Sequence, residues 1–252
     1  MTELAIEIKG LHKIYRRGFL AKKEICAVRN LNLEIKSGEA WALVGPNGAG
    51  KTTTLHCLVG LLNPTSGSIT IFGENPLSPD ARRKVGFQSE IFFSYSYMNP
   101  VDGLKFYGRL SGLKDPDLKE RVTKALNLAG LSDCLFQTMG TFSKGMMQRV
   151  GLAQSILHDP SVIIWDEPST GLDPEGRRLV MDLILKLKSE GKTVLLSTHI
   201  LSDIERVCDH ISIINKGGIL LSESIDSLLT KHSGKTLEDI YLETVRGKAD
   251  AQ

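Results

Sequence analysis

The sequence has few cysteines, and their spacing is unfavourable for two common roles of cysteine. The four cysteines, Cys26, Cys57, Cys134 and Cys208, are widely separated and form no CxxC pair. This spacing argues against a disulfide framework and against a zinc site built from paired cysteines. It favours a reducing compartment, in which buried free thiols behave as small apolar side chains.

Long apolar runs and a strong net charge are also missing. No segment approaches the roughly 18 consecutive apolar residues that a membrane-spanning helix needs, and residues 1–10 lack the apolar run of a signal peptide. We therefore expect another chain to supply any membrane span. A net charge of +2 is too small to argue for nucleic acid. The sequence shows no internal repeat and no heptad array.

Short apolar segments separated by helical periodicity predict an α/β fold. Residues 4–9 and 27–35 alternate apolar and polar side chains and predict two strands. Continuous apolar runs are typical of buried parallel strands. The predicted strands of this kind are 40–44, 68–72, 161–165, 193–197 and 211–214. Between 89 and 142 the pattern becomes mostly helical, which predicts a helical subdomain inserted into the α/β core.

Residues 45–53, "GPNGAGKTT", fit the phosphate-binding pattern G-x-x-x-x-G-K-[ST] between the predicted strand 40–44 and a helix-forming segment. The glycines allow a tight turn whose backbone N–H groups face phosphate oxygens, and the helix N-terminus adds partial positive charge. We expect Lys51 to reach the β- and γ-phosphates, Thr52 to hold Mg²⁺ and Thr53 to contact the α-phosphate. The sequence therefore predicts a nucleoside triphosphate site. Its contact residues are Gly45, Pro46, Asn47, Gly48, Ala49, Gly50, Lys51, Thr52 and Thr53.

Two carboxylates follow an apolar strand in "VIIWDEP", residues 162–168. Ligands of open α/β sheets bind at the C-terminal ends of the strands. Asp166 is therefore a candidate for the Mg²⁺ shell, and Glu167 is a candidate general base for an attacking water. Trp165 is expected to be core packing.

Two weaker candidates also follow predicted strands. His199 comes after strand 193–197 and could donate to the γ-phosphate, and Gln88 comes after the short strand "VGF" and could contact Mg²⁺ and the attacking water. Taken alone, the histidine is more often a core or surface residue, and a single glutamine carries almost no signal. Both assignments depend on the phosphate loop.

In order along nearly the whole chain, these motifs resemble those of the ATP-binding subunit of an ABC transporter. The matching segments are "KIYRRG" (13–18), "GPNGAGKTT" (45–53), "GLLNPTSGSITIFG" (60–73), "FSKGMMQRVGLAQSILHDP" (142–160) and "VIIWDEPSTGLDP" (162–174). The resemblance implies an ATPase with ATP and Mg²⁺ as ligands. It also implies a P-loop NTPase core of ABC type with an N-terminal antiparallel β part. The predicted parts of one domain, 1–252, are an ATP-binding core (1–88 and 143–222), a helical subdomain (89–142) and a C-terminal helical tail (223–252).

The segment 142–146, "FSKGM", resembles the signature motif of this family, which is usually Leu-Ser-Gly-Gly-Gln. Ser143 and Gly145 are retained, whereas Lys144 and Met146 depart from the usual form. The resemblance implies that the motif closes over the γ-phosphate of ATP held by a second subunit, in a head-to-tail dimer. From the residues alone, Ser143 is also an ordinary helix N-cap.

Other roles are implied by the resemblance. Tyr15 would stack on adenine, and Asp173 would face the phosphate loop of the partner. The aromatic residues of segment 91–98 would contact an integral membrane permease subunit, although they could instead form the core of the subdomain. These residues are Phe92, Phe93, Tyr95 and Tyr97.

The resemblance implies a subunit that powers transport from the cytoplasmic face of the cell membrane, without nucleic acid as a partner. Export is favoured over import by the Lys-Gly-Met variant and by the tail "TLEDIYLETV" (236–245). The alternative is a soluble ABC-type ATPase that acts in cofactor assembly. A homodimer is favoured, and a pairing with a related subunit stays open.

Overall fold

The structure is a computed structural model of the 252-residue chain, and it describes residues 3–17, 23–92 and 94–247. The strands are β1 (Leu4–Arg17), β2 (Lys23–Lys36), β3 (Ala40–Val44), β4 (Ser66–Ile71), β5 (Val85–Gln88), β6 (Val162–Asp166), β7 (Thr193–Thr198), β8 (His210–Asn215) and β9 (Gly218–Ser224). The helices are α1 (Lys51–Leu58), α2 (Pro79–Arg83), α3 (Pro100–Leu110), α4 (Asp117–Leu128), α5 (Lys144–Ile156), α6 (Pro174–Ser189), α7 (Leu201–Ile204), α8 (Ile225–Lys231) and α9 (Leu237–Gly247).

The chain divides into two compact units. The first comprises Met1–Arg82 and Leu195–Gln252, and the second comprises Arg83–Val194, so the boundary falls inside β7. The parts predicted from the sequence had other limits, and that division stays a prediction. None of the helices in the described part of the chain combines the length and apolarity needed to cross a bilayer.

The first unit contains a three-stranded antiparallel sheet of order β2-β1-β4. Both β1 and β2 run further than the alternating pattern predicted, because their pairing continues to Arg17 opposite Lys23. Backbone hydrogen bonds of such a hairpin do not depend on apolar alternation.

The strand that leads into the phosphate loop also lies in the first unit. All five residues of β3 are buried. β3 runs parallel to β8, with Trp41 opposite His210 and Val44 opposite Ile213. β8 pairs antiparallel with β9. The loop after Val44 therefore begins beside the end of β8.

The second unit contains the parallel pair β5 and β6 and a helical core. Gln88, the last residue of β5, lies opposite Trp165, the penultimate residue of β6. Gly86 in β5 leaves room for a close backbone approach, since a Cβ there would lie 1.9 Å from the Ser155 carbonyl oxygen. Helices α3, α4 and α5 bury a shared apolar cluster. Its members are Leu104, Leu118, Val122, Ala125, Leu126, Ala129, Leu131, Met139, Val150, Ala153 and Leu157.

Candidate functional site

The phosphate loop of the first unit is held by its neighbours at two glycines. A Cβ on Gly45 would lie 2.2 Å from the Ile214 carbonyl oxygen, and one on Gly50 would lie 2.5 Å from the Ala27 carbonyl oxygen. Gly50 also has a φ of 109°, which only glycine adopts readily. The loop is tied further by a 2.8 Å hydrogen bond from the Gly217 N–H to the Ala49 carbonyl. Its path is therefore fixed by backbone contacts that exclude larger residues.

Lys51 opens helix α1 and lies across this loop. It is buried, and its Nζ donates to the Gly45 carbonyl oxygen over 2.6 Å. Gly50 provides no side chain to cap the helix. A helix start without a side-chain cap, the helix dipole and an ammonium group are the features of helix N-termini that bind anions. Thr52 is exposed at the first turn, and Thr53 is half-buried.

Tyr15 lies beside the same turn. Its Oη is 3.4 Å from Thr53 Oγ1, and the Lys13 ammonium is 5.4 Å from the ring centroid. The structure thus brings Tyr15 to the phosphate loop with part of its ring accessible. His199 follows β7 in the first unit and is exposed.

Two acidic residues lie at the C-terminal end of β6 in the second unit. Asp166 is its last residue and is fully buried. Glu167 follows with a φ of 51°, a left-handed conformation that is uncommon for a residue with a side chain. One carboxylate oxygen of Glu167 accepts from Thr170 Oγ1 over 3.3 Å, and its carbonyl accepts from the Thr170 N–H over 3.1 Å. Such conformations occur frequently at functional sites.

Gln88 is joined to this segment through a residue that the sequence motifs did not single out. Gln88 is only 1% exposed, and its Nε2 donates to the Gln148 carbonyl oxygen over 3.2 Å. The Gln148 side chain donates in turn to the carbonyl oxygens of Glu167 and Pro168, each over 3.4 Å. The sequence signal that could have identified Gln148 is its helical position, because it shares the buried stripe of α5 with Ser155, seven residues further on.

The signature segment contains the N-cap of α5, and this cap has ordinary geometry. Ser143 is the N-cap, and its Oγ accepts from the Met146 N–H over 3.2 Å. Gly145 leaves room for Leu172, whose Cδ2 would lie 3.3 Å from a Cβ at that position. Asp173 caps α6 by accepting from the Gly176 N–H over 2.8 Å.

The aromatic segment is partly core and partly surface. Phe92 packs on Gly151, where a Cβ would lie 2.9 Å from its ring, so the alternative of internal packing fits this residue. Tyr95 and Tyr97 are 45% and 73% exposed, and their ring centroids are 5.7 Å apart. Phe93 lies outside the described residues.

The oxygen ligands predicted for Mg²⁺ in the second unit suit a hard cation. Gln88 Oε1 is buried and accepts no hydrogen bond within the described part of the chain. Asp166 supplies a buried carboxylate. The described residues contain no group of three or more His, Cys, Asp or Glu that could hold a metal. The predicted set of Thr52, Gln88 and Asp166 is of a different kind, with a single acidic ligand.

A buried strand, a glycine-rich loop and a helix opened by Lys-Thr define the P-loop NTPase class. The ABC transporter family profile matches residues 28–170. The chain therefore belongs to the ABC transporter ATP-binding proteins, which confirms the resemblance seen in the sequence.

Individual relatives agree with this assignment. The uncharacterised ABC transporter ATP-binding protein YxlF of Bacillus subtilis is 45% identical over 214 residues, which are 85% of this chain and 69% of YxlF. The Nod factor export ATP-binding protein I of Cupriavidus metallidurans is 37% identical over 239 residues, which are 94% of this chain and 76% of that protein.

Solved structures confirm the fold. An ATP-binding subunit of an ABC transporter superposes with a TM-score of 0.83 at 30% identity, over 96% of this chain and 99% of that one. A dimeric ATP-binding cassette in a post-hydrolysis state, bound to ADP and phosphate, superposes with a TM-score of 0.80 at 27% identity. The superposition covers 87% of this chain and 98% of the chain of that cassette.

Proposed function

We propose that this chain hydrolyses ATP to drive transport through a separate membrane-spanning subunit. The observation that carries the proposal is the phosphate loop, in which the Lys51 ammonium is buried against the Gly45 carbonyl at an uncapped helix start. That arrangement favours a bound polyphosphate, because phosphate oxygens accept hydrogen bonds from N–H groups at a helix start and are attracted by the ammonium charge.

In this proposal the loop Gly45–Thr53 binds the phosphates of ATP, and Tyr15 stacks on the adenine. Its accessible ring beside Thr53 supports that role. Thr52, Gln88 and Asp166 hold Mg²⁺, which when bound neutralises charge that develops on the phosphates. The bare Oε1 of Gln88 supports its assignment as an oxygen ligand.

Glu167 is proposed as the general base that polarises the attacking water, with His199 and Gln88 as partners at the γ-phosphate. The left-handed backbone at Glu167 supports a catalytic role, since strain of this kind costs about 1–3 kcal/mol and persists where the surroundings enforce it. The hydrogen bond from Thr170 orients the carboxylate.

Ser143, Gly145 and Asp173 are proposed to act across a head-to-tail homodimer, on the ATP of the second subunit. Exposure of Ser143 at the first turn of a 13-residue helix supports this. A similar cassette has been solved as a dimer with ADP and phosphate bound.

Exposed Tyr95 and Tyr97 are proposed as part of the contact with the permease subunit, and the chain is proposed to act at the cytoplasmic face of the cell membrane. Paired exposed aromatic rings are typical of interface anchors. Export is the proposed direction, since one relative is named as a Nod factor export protein.

The test is Glu167→Gln, with the exposed Glu190→Gln of the same unit as its control. Loss of a general base lowers the rate about 10²- to 10⁴-fold. We expect such a loss of steady-state ATP turnover in Glu167→Gln only, together with an ATP-dependent dimer in size-exclusion chromatography. Wild-type turnover in Glu167→Gln would overturn the base assignment. No nucleotide binding by the wild type would overturn the proposal as a whole.

A further inference from the structure

We infer that Gln148 is a positioning residue for the reaction, which acts by holding the backbone that presents Glu167. The inference rests on the proposed function, because it works through the general base assigned there. Gln148 lies in the second turn of α5 and is 3% exposed. A glutamine at so buried a position needs hydrogen-bond partners.

Its partners are two consecutive carbonyl oxygens. Gln148 Nε2 lies 3.4 Å from the oxygen of Glu167 and 3.4 Å from the oxygen of Pro168. The amide therefore bridges the two peptide units that follow the general base. An apolar side chain at position 148 would remove the donor shared by both oxygens.

The segment that it bridges has an unfavourable backbone conformation, and it is held locally by hydrogen bonds from Thr170 to Glu167. Glu167 has a φ of 51°, which is unfavourable for a residue with a Cβ. Pro168 has no backbone N–H to donate to a neighbouring turn. A turn of this kind keeps its geometry only when surrounding groups enforce it. Gln148 is such a group, because it belongs to a regular helix and contacts both peptide units.

Gln148 also links the segment to Gln88. The Gln148 carbonyl oxygen accepts from Gln88 Nε2 over 3.2 Å, so three buried residues form one connected set across β5, α5 and the end of β6. The residue proposed to contact the attacking water and the residue proposed to activate it are thus held by the same glutamine. The bond from Gln88 uses the main-chain carbonyl, which a substitution at position 148 leaves in place, so only the contact with the Glu167 segment depends on the Gln148 side chain.

The experiment replaces Gln148 with Met, which keeps the length of the side chain and removes the donor. The matched control is Gln154→Met, the same change six residues further along α5 at a half-buried position. A small misplacement of a catalytic group costs up to about 100-fold. We expect kcat for ATP to fall about 10- to 100-fold in Gln148→Met, with KM for ATP changed less than about threefold. Gln154→Met should leave both constants near wild type.

A second readout separates positioning from a general loss of structure. Residues that act through the same group have non-additive effects. Added to Glu167→Gln, Gln148→Met should reduce the residual single-turnover rate less than about twofold. It should also leave the ATP dependence of dimer formation unchanged. If Gln148→Met fails to fold, as judged by thermal unfolding, Gln148→Asn takes its place, since it keeps the amide and cannot reach both oxygens.

Two results would overturn the inference. One is a kcat within twofold of wild type in a folded Gln148 variant. The other is an equal fold-reduction in the wild-type and Glu167→Gln backgrounds. Failure of the proposed function has a different signature, because Glu167→Gln alone would then retain wild-type turnover whatever the Gln148 variant does.

Discussion

The hydrogen bond between Trp165 and Ser155 yields a quantitative prediction for the strand that carries Asp166. Trp165 is fully buried, and its Nε1 donates to Ser155 Oγ over 2.8 Å. The serine hydroxyl donates in turn to the Leu152 carbonyl oxygen, also over 2.8 Å. Ser155→Ala leaves the indole N–H buried without its acceptor. An unsatisfied buried donor costs about 1–3 kcal/mol, so we expect the free energy of unfolding to fall by about 2 kcal/mol.

The measurement is urea unfolding followed by tryptophan fluorescence, with the midpoint compared at constant slope. The control is Ser189→Ala, because Ser189 makes the same type of bond to the carbonyl oxygen three residues earlier, over 2.7 Å, but is exposed and supports no buried donor. Changes at such surface sites are usually within about 0.5 kcal/mol.

A double variant isolates the hydrogen bond from the packing. Trp165→Phe removes the indole donor and some core volume, so it costs stability for a different reason. If the bond matters as argued, Ser155→Ala should cost about 1 kcal/mol less in the Trp165→Phe background. Additive effects, or an unchanged midpoint in Ser155→Ala alone, would refute the reasoning.

Two further outcomes are expected. Gly50→Ala forces a Cβ to within 2.5 Å of the Ala27 carbonyl oxygen at a φ of 109°. The Kd for a fluorescent ATP analogue should therefore rise tenfold or more, whereas the control Gly218→Ala, which has room for its Cβ, should leave the Kd unchanged. Equal Kd values for the two variants would contradict the proposed fit of the loop. Burial lowers the pKa of His158, whose ring nitrogen bonds the Val85 carbonyl. The folded state therefore binds a proton at His158 less readily than the unfolded state does. The neutral histidine contributes fully to the free energy of unfolding above about pH 6.5, and this contribution is lost as the pH falls. The urea midpoint should drop less between pH 7 and pH 5 in His158→Gln than in the wild type, and parallel curves would count against this.

Much of the α/β core could be predicted from the sequence because its strands are buried on both faces. The run 40–44 coincides with β3, and 193–197 lies within β7. Strand β9 could not be found in this way. It pairs on one side with β8, most of its residues are only half-buried, and its apolar run is limited to Ile219, Leu220 and Leu221.

The same contrast holds for the candidate site. The phosphate loop was predictable because one local pattern specifies both its turn and its chemistry. The environment of Gln148 was not, because its carbonyl partners lie 19 and 20 residues further along the chain. Helical periodicity places Gln148 in a buried stripe, but it cannot identify what lies opposite.

Helix α5 connects Ser143 of the signature segment to Gln148 over a short distance. Ser143 caps the helix at the surface, and Gln148 holds the Glu167 segment five residues later. At 1.5 Å per residue, the helix covers that interval in about 7.5 Å without a flexible joint. In the proposed dimer, a displacement of the signature segment would therefore be transmitted along about one and a half turns of α5 to the backbone of Glu167. On this reasoning the signature motif and the general base respond together, because a displacement of α5 moves Ser143 and Gln148 as one body.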